Sequence, residues 1–267
     1  MDNWGIEKPP FGTPIDLAWV KKWGNVLFMT MNGGGLIEPD LSGNGNNGTL
    51  TNMSFPPTAT SGRVGDGVVL DGDDDYVNCG TIAKLQLQTF TVSAWFQWDS
   101  VHPDDIYRAI LAKSNNDGNG YKDNYKIYVL DSDQKIYASV GKANGTEAWT
   151  IGSNTVVSSG RWYYVAVSFD SSGNMNLYVN GVSDATPVAV GLPYAATGNF
   201  TIGLWKTNWF YGEWDGLIGD VRIFNQALSP DEVAHQAVEP YYMVPKPQLI
   251  VPKPKIPISI FQQGQVI

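Results

Sequence analysis

An all-β fold of two face-packed antiparallel sheets is what this sequence predicts, and three observations predict it. The run FTVSAWFQW places Phe90, Val92, Ala94, Phe96 and Trp98 at every second position, the period of a strand half buried in a core. The stretch RWYYVAVSFDSSGNMNLYVNG, residues 161–181, holds two such runs around a polar loop with a glycine and reads as an antiparallel hairpin, closed by Asn180-Gly181, the dipeptide best suited to a tight turn. Charged residues make up only 16% of the 267, while Gly, Asn, Ser, Thr and aromatics are abundant, which suits short strands joined by turns better than helices.

Taken in order, residues 2–22 are rich in Pro, Gly and Trp without a sustained period and read as an extended arm. NVLFMTM (residues 25–31) is the first strand. DLSGNGNNGTL (residues 40–50) follows as a Gly/Asn loop of turn and left-handed conformations, either pointing oxygens inward or serving as an ordinary turn. Strands are then expected at 68–70 and 76–79 around the acidic turn at Asp71 to Asp75, and at 90–98, 109–113, 125–130, 135–140 and 148–151. After the hairpin come strands at 199–205 and 216–225. About a dozen strands fit two sheets packed face to face. Ser229, Pro230 and Glu232 form a cap, a first-turn proline and a capping box, so one short helix starts there and ends before Pro240. Beyond it VPKP occurs at 244–247 and again at 251–254, and a proline-rich segment lacks the amide donors to fold alone. The expected organisation is an arm at 1–24, the sandwich at 25–238 and a Pro-rich arm at 239–267.

Composition narrows the function classes. A net charge of −9 disfavours a phosphate backbone as partner, so no nucleic acid is expected. Cys79 is the only cysteine and His102 and His235 the only histidines, which argues against an intrachain disulfide and a Cys/His zinc site. The opening MDNWGIEKPPFGTP has neither a basic nor an apolar leader segment, and no run approaches membrane-spanning length, so synthesis in the cytosol and no membrane partner are expected.

Five blocks in order, DLSGNGNNGTL, VVLDGDDDYVNCG, FTVSAWF, RWYYVAVSFDSSGNMNLYVNG and GLIGDVRIFNQALSPDEV, resemble the laminin-G-like group of the concanavalin A-like lectin and glucanase superfamily. The resemblance implies a two-sheet jelly roll, a mostly non-catalytic module that binds glycans or protein surfaces, and a structural calcium ion at a sheet rim. The same sandwich carries glucanases with carboxylates in an E-x-D-x-x-E spacing. Here Glu213-Trp214-Asp215 is followed by GLIGD, the spacing fails, and a non-enzymatic protein is expected.

Calcium takes six to eight oxygens. Asp40 and Asn46 in the first loop and Asp220 in the last strand are the candidate ligands, since first and last strands of such a sandwich lie side by side. The competing reading is an Asx-turn at Asp40 and an Asp220–Arg222 pair on one strand face; the acidic turn at Asp71 to Asp75 is a second place for an ion. For glycans, aromatic faces stack on sugar rings, and Trp205, Trp209, Tyr211 and Trp214 crowd one segment, as a surface or as cover for the sandwich edge. Trp95, Trp98 and Trp162 are expected in the core. The arms, together with a resemblance to laminin-G-like proteins of tailed bacteriophages, lead to the expectation of a virion structural or decoration protein. It would be oligomeric in its assembly, made in the host cytoplasm, and bound to other virion subunits through its arms. A secreted, extracellular carbohydrate-binding module is the first alternative, and a glycoside hydrolase acting through Glu213 and Asp215 the second.

Overall fold

The computed structural model describes residues 24–31, 35–53, 59–61, 66–99, 107–115, 122–146, 148–206 and 211–238. Both expected arms lie outside these residues, apart from Gly24. The first strands in chain order are β1 (Asn25–Met29), β2 (Ile37–Glu38), β3 (Gly48–Thr51), β4 (Ala59–Ser61), β5 (Asp66–Asp71) and β6 (Tyr76–Asn78). A single 3₁₀ turn at Ala83–Leu85 leads into β7 (Phe90–Trp98), β8 (Tyr107–Ser114), β9 (Asp123–Leu130), β10 (Lys135–Gly141) and β11 (Ala148–Val156). Then come β12 (Trp162–Phe169), β13 (Asn174–Val179), β14 (Val182–Ser183), β15 (Val188–Ala189), β16 (Phe200–Ile202), β17 (Leu204–Lys206), β18 (Tyr211–Glu213) and β19 (Asp215–Phe224), and last the helix α1 (Pro230–Val238).

The strands form the two antiparallel sheets of a jelly-roll sandwich. One runs β14-β13-β12-β7-β19-β5-β4, with β1 on β19 and β15 on β13; the other runs β11-β10-β9-β8-β16-β6-β3-β2; β17 and β18 make a separate hairpin. Between the sheets lie the alternating positions that the sequence marks, Val92, Ala94 and Phe96 of β7 and Val165 and Val167 of β12 among them, against Leu111, Ile127, Val129 and Ile136 of the opposite sheet. First and last strands pair as expected, Phe28 opposite Arg222.

Local chemistry places the elements. Asn180 and Gly181 both have positive φ, 52° and 82°, which is the two-residue turn that joins β13 to β14 without splaying them. The capping box forms: the Ser229 amide donates to Glu232 Oε2 at 2.8 Å, and the Glu232 amide donates to Ser229 Oγ at 3.3 Å. The helix lays Val233 and Ala237 on Trp95, Tyr164, Ala166 and Tyr178, the residues of β7, β12 and β13 that alternate with the core. It therefore covers the outer face of the nine-stranded sheet.

The expected single strand at 199–205 is broken in two. Gly203, at φ 83°, is where the chain leaves the sheet, and a Cβ there would lie 2.3 Å from Leu70 Cδ1. Phe200 and Ile202 of β16 face the core, whereas β17 after the glycine pairs only with β18 and packs on β8. That break carries Trp205 to the outside of the eight-stranded sheet.

Candidate functional site

The outer face of the eight-stranded sheet, the face without the helix, carries a continuous row of aromatic rings. Two of them come from positions that alternate with core residues: Tyr128 sits between Ile127 and Val129 on β9, and Tyr137 between Ile136 and Ala138 on β10. Register then lines them up, because Tyr137 pairs with Tyr128 and Tyr128 with Ala109 of β8. The Tyr128 and Tyr137 rings stack 5.6 Å apart at 15°, and Tyr107 meets both Tyr128 (5.3 Å) and Trp205 (5.7 Å) edge-on. Trp205 sits on Ala109 and Ala112, small residues that leave room for an indole.

Polar groups are interleaved with the rings. Lys126 Nζ lies 2.8 Å from Asp123 Oδ2 and 3.4 Å from the Trp205 ring centroid. Burial pushes the Lys126 ammonium pKa down, and Asp123 works against that shift. The Tyr137 hydroxyl donates to Asp133 Oδ2 at 2.7 Å, and this bond, followed by burial, raises the phenol's pKa. Burial, followed by the neighbouring Tyr107, raises that of Tyr128 well above the usual range. Thr150 Oγ1 donates to Ser139 Oγ at 3.1 Å on the same face. Rings with interspersed hydroxyls and carboxylates are the equipment for holding a sugar: flat apolar contact plus directed hydrogen bonds.

The residues expected to make the sugar site are distributed differently. Trp214 is fully buried between the sheets, edge-on to Phe96 at 5.3 Å, and offers no face to a ligand, which corrects its expected place on the surface. Trp205 does reach the outer face, but it is 5% exposed and Lys126 occupies its ring, so it underlies the surface and does not project from it. Tyr211 pairs with Lys206 through the backbone; its side chain and Trp209 lie outside the described residues. Tyr107, Tyr128 and Tyr137 were not singled out by sequence reasoning, although the alternation of Tyr128 and Tyr137 with branched aliphatics is the signal that marks them. Trp95 and Trp98 are buried as expected, and Trp162 is partly buried against the cluster under α1.

The candidate calcium ligands meet hydrogen-bond donors instead. Asp40 Oδ1 accepts from the amides of Phe28 (3.0 Å) and Ser42 (2.9 Å), and Oδ2 accepts from Ser42 Oγ and the Asn46 amide, both at 2.9 Å. Asn46 Nδ2 and Asn44 Nδ2 reach the Val26 and Asn25 carbonyls at 2.7 and 3.2 Å. The Gly/Asn loop thus lines the edge of β1 away from β19, its side chains taking up the edge's carbonyls and amides where, among the described residues, no second strand pairs. Asp220 is held by Arg222 on β19, whose guanidinium also reaches Gln236 of α1 at 2.7 Å and lies over the Phe28 ring. Oxygens so engaged do not fit a cation, and both positions follow the Asx-turn and ion-pair reading. Carboxylate oxygens of Asp71, Asp74 and Asp75 do converge, within 4.8 Å of one another, at the acidic turn. Burial, with the nearby Asp71 charge, raises Asp75 to about 6.

Two face-packed antiparallel sheets in this strand order define the class as a jelly-roll sandwich. The chain belongs to the concanavalin A-like lectin/glucanases superfamily, through the Laminin_G_3 family model, which matches residues 71–234. No curated protein matches it in sequence. Among solved structures it is similar to domain 4 of AbnA, a GH43 extracellular arabinanase from Geobacillus stearothermophilus in complex with arabinotriose, at TM-score 0.59 and 20% identity over 80% of this chain and 98% of that one. It is also similar to the binding domain of Paraclostridial Mosquitocidal Protein 1, at TM-score 0.60 and 16% identity over 82% of this chain and 52% of that one. The Botulinum neurotoxin serotype G binding domain gives TM-score 0.58 and 16% identity over 80% and 50%. The chain thus spans about half the length of the two toxin domains, and at these identities the likeness is one of fold.

Proposed function

We propose that this protein is a non-enzymatic, glycan-binding sandwich carried on a bacteriophage virion as a structural or decoration protein, with the outer face of the eight-stranded sheet as its binding surface. The glycan part is carried by the partly exposed rings of Tyr107 and Tyr137, backed by the buried Tyr128 and Trp205, with hydroxyls and carboxylates between them, on the sheet face that α1 does not cover. A ligand of the same class, arabinotriose, is bound by the arabinanase domain that shares the fold. A binding rather than catalytic role is supported by the carboxylates nearest a glycosidase pattern. Glu213 and Asp215 flank a buried tryptophan and lack a third acid at the required spacing. The virion part is supported by composition, since residues 1–24 are rich in Trp and Pro and VPKP recurs at 244–247 and 251–254, a make-up suited to binding along a partner's surface in extended form.

Two measurements test this. Purified particles probed by mass spectrometry are expected to contain the chain, and full-length protein on a glycan array is expected to bind in a manner lost in a Tyr128→Ala, Tyr137→Ala double variant. Absence from particles sinks the virion role and leaves a secreted binding module. An array without signal sinks the glycan role.

A further inference from the structure

The charges along the aromatic row bear on which sugars it takes, a question that rests on the glycan-binding reading above. Lys126, in the middle of the row, has its ammonium answered on both sides, by Asp123 at 2.8 Å and by the Trp205 ring. Arg108 of β8 is fully buried and gives Nε to both oxygens of Asp131, at 2.9 and 3.2 Å. At the outer end of the row Asp133 takes the Tyr137 hydroxyl at 2.7 Å and the Lys135 amide at 3.1 Å, which places a carboxylate at the rim of the Tyr137 ring. Lys135, partly exposed, stands at the start of β10, and Lys206, exposed, at the end of β17.

Tyr137 is itself built as a platform. Its ring crosses Gly152 of β11, where any Cβ would come within 2.6 Å of the ring, so a glycine is what lets it lie there. Asp133 holds the hydroxyl and Tyr128 backs the ring at 5.6 Å. A ring so restrained loses little freedom when a ligand stacks on it. On the same face the exposed Thr150 offers a hydroxyl, held in place by the buried Ser139.

We infer that the Tyr137 platform takes an uncharged sugar and discriminates against uronic, sialic and sulfated ones. A neutral ring gains the stacking face and hydrogen bonds to the hydroxyls and to Asp133. An acidic ring brings a like charge up to Asp133, in a chain of net charge −9 whose central cation is already paired. Like charges about 6 Å apart in an intermediate dielectric repel enough to lower affinity roughly tenfold.

Affinity electrophoresis of the full-length protein tests this with linear arabinan and mixed-linkage β-glucan as neutral polymers and polygalacturonate and heparin as anionic ones. The expected result is retardation by a neutral polymer, weakened at least tenfold by Tyr137→Ala, with little retardation by either polyanion. Asp133→Asn keeps an acceptor for the Tyr137 hydroxyl and is expected to raise affinity for polygalacturonate severalfold, so selectivity is tested even if the alanine variant does not fold. Stronger retention by a polyanion, neutral binding indifferent to a folded Tyr137→Ala protein, or no change in selectivity with Asp133→Asn overturns the inference while leaving the glycan reading in place. Retention by none of the four polymers overturns the glycan reading itself.

Discussion

Replacing Asp40 with alanine removes a carboxylate that accepts four hydrogen bonds, three of them from backbone amides, at a position only 8% exposed. A buried donor left without an acceptor costs about 1–3 kcal/mol. Water entering the vacated space will satisfy part of that demand, so the net loss is set at about 3–5 kcal/mol, below the simple sum. The loss concentrates on β1, because the Phe28 amide on its edge away from β19 is one of the orphaned donors and Ser42, Asn44 and Asn46 are organised by the same side chain. Urea unfolding of the full chain is the assay: with a slope of about 3 kcal/mol per molar, the midpoint should fall by more than ~1 M at pH 7. A parallel titration with a chelator should leave the wild-type midpoint unchanged. The reasoning fails if the variant loses less than about 1 kcal/mol, where hydrogen-bonded Ncap-like carboxylates already contribute that much. It fails equally if the chelator reproduces the variant's loss, because the carboxylate would then act through a cation.

Two further outcomes follow from burial. Trp214→Ala should cost about 3–5 kcal/mol in the same unfolding assay, as a large core truncation does, and a fully folded variant with altered sugar binding alone would contradict its core position. Lys113 is fully buried and donates Nζ to the Gly198 carbonyl, and burial lowers its pKa to about 8. Because the unfolded chain keeps this proton up to the usual value near 10.5 while the folded one releases it near 8, the Lys113 contribution to stability should rise with pH across that window, by at most ~3 kcal/mol. From pH ~9 the buried Cys79 thiol, and above pH ~10 the buried phenols of Tyr128 and Tyr164, all with pKa values that burial raises, act in the opposite sense, since the unfolded chain sheds those protons first. Lys113→Met should flatten the rise between pH 8 and 10, and an unchanged slope would show that another group carries it.

Much of this molecule is written in short windows of its sequence. The strand Phe90–Trp98, the hairpin ending at Asn180-Gly181 and the capping box at Ser229 were legible because period, positive φ and reciprocal capping involve residues a few positions apart. The two-sheet class follows from those elements with the ordered family blocks. The site was much less legible. Trp205 and Trp214 belong to one aromatic segment, yet Gly203 turns the chain so that one ring reaches the outer sheet face and the other fills the core. Tyr128 and Tyr137 alternate with core residues in plain view, but that α1 packs on the outer face of the other sheet and not on theirs depends on strands brought together from distant parts of the chain. The Asp40 loop announced its oxygens, and only the edge of β1 lying alongside decided that they meet amide hydrogens. Local sequence sets backbone period and turns because those forces act over neighbouring residues; which partner a side chain finds is set by long-range register, which no short window contains.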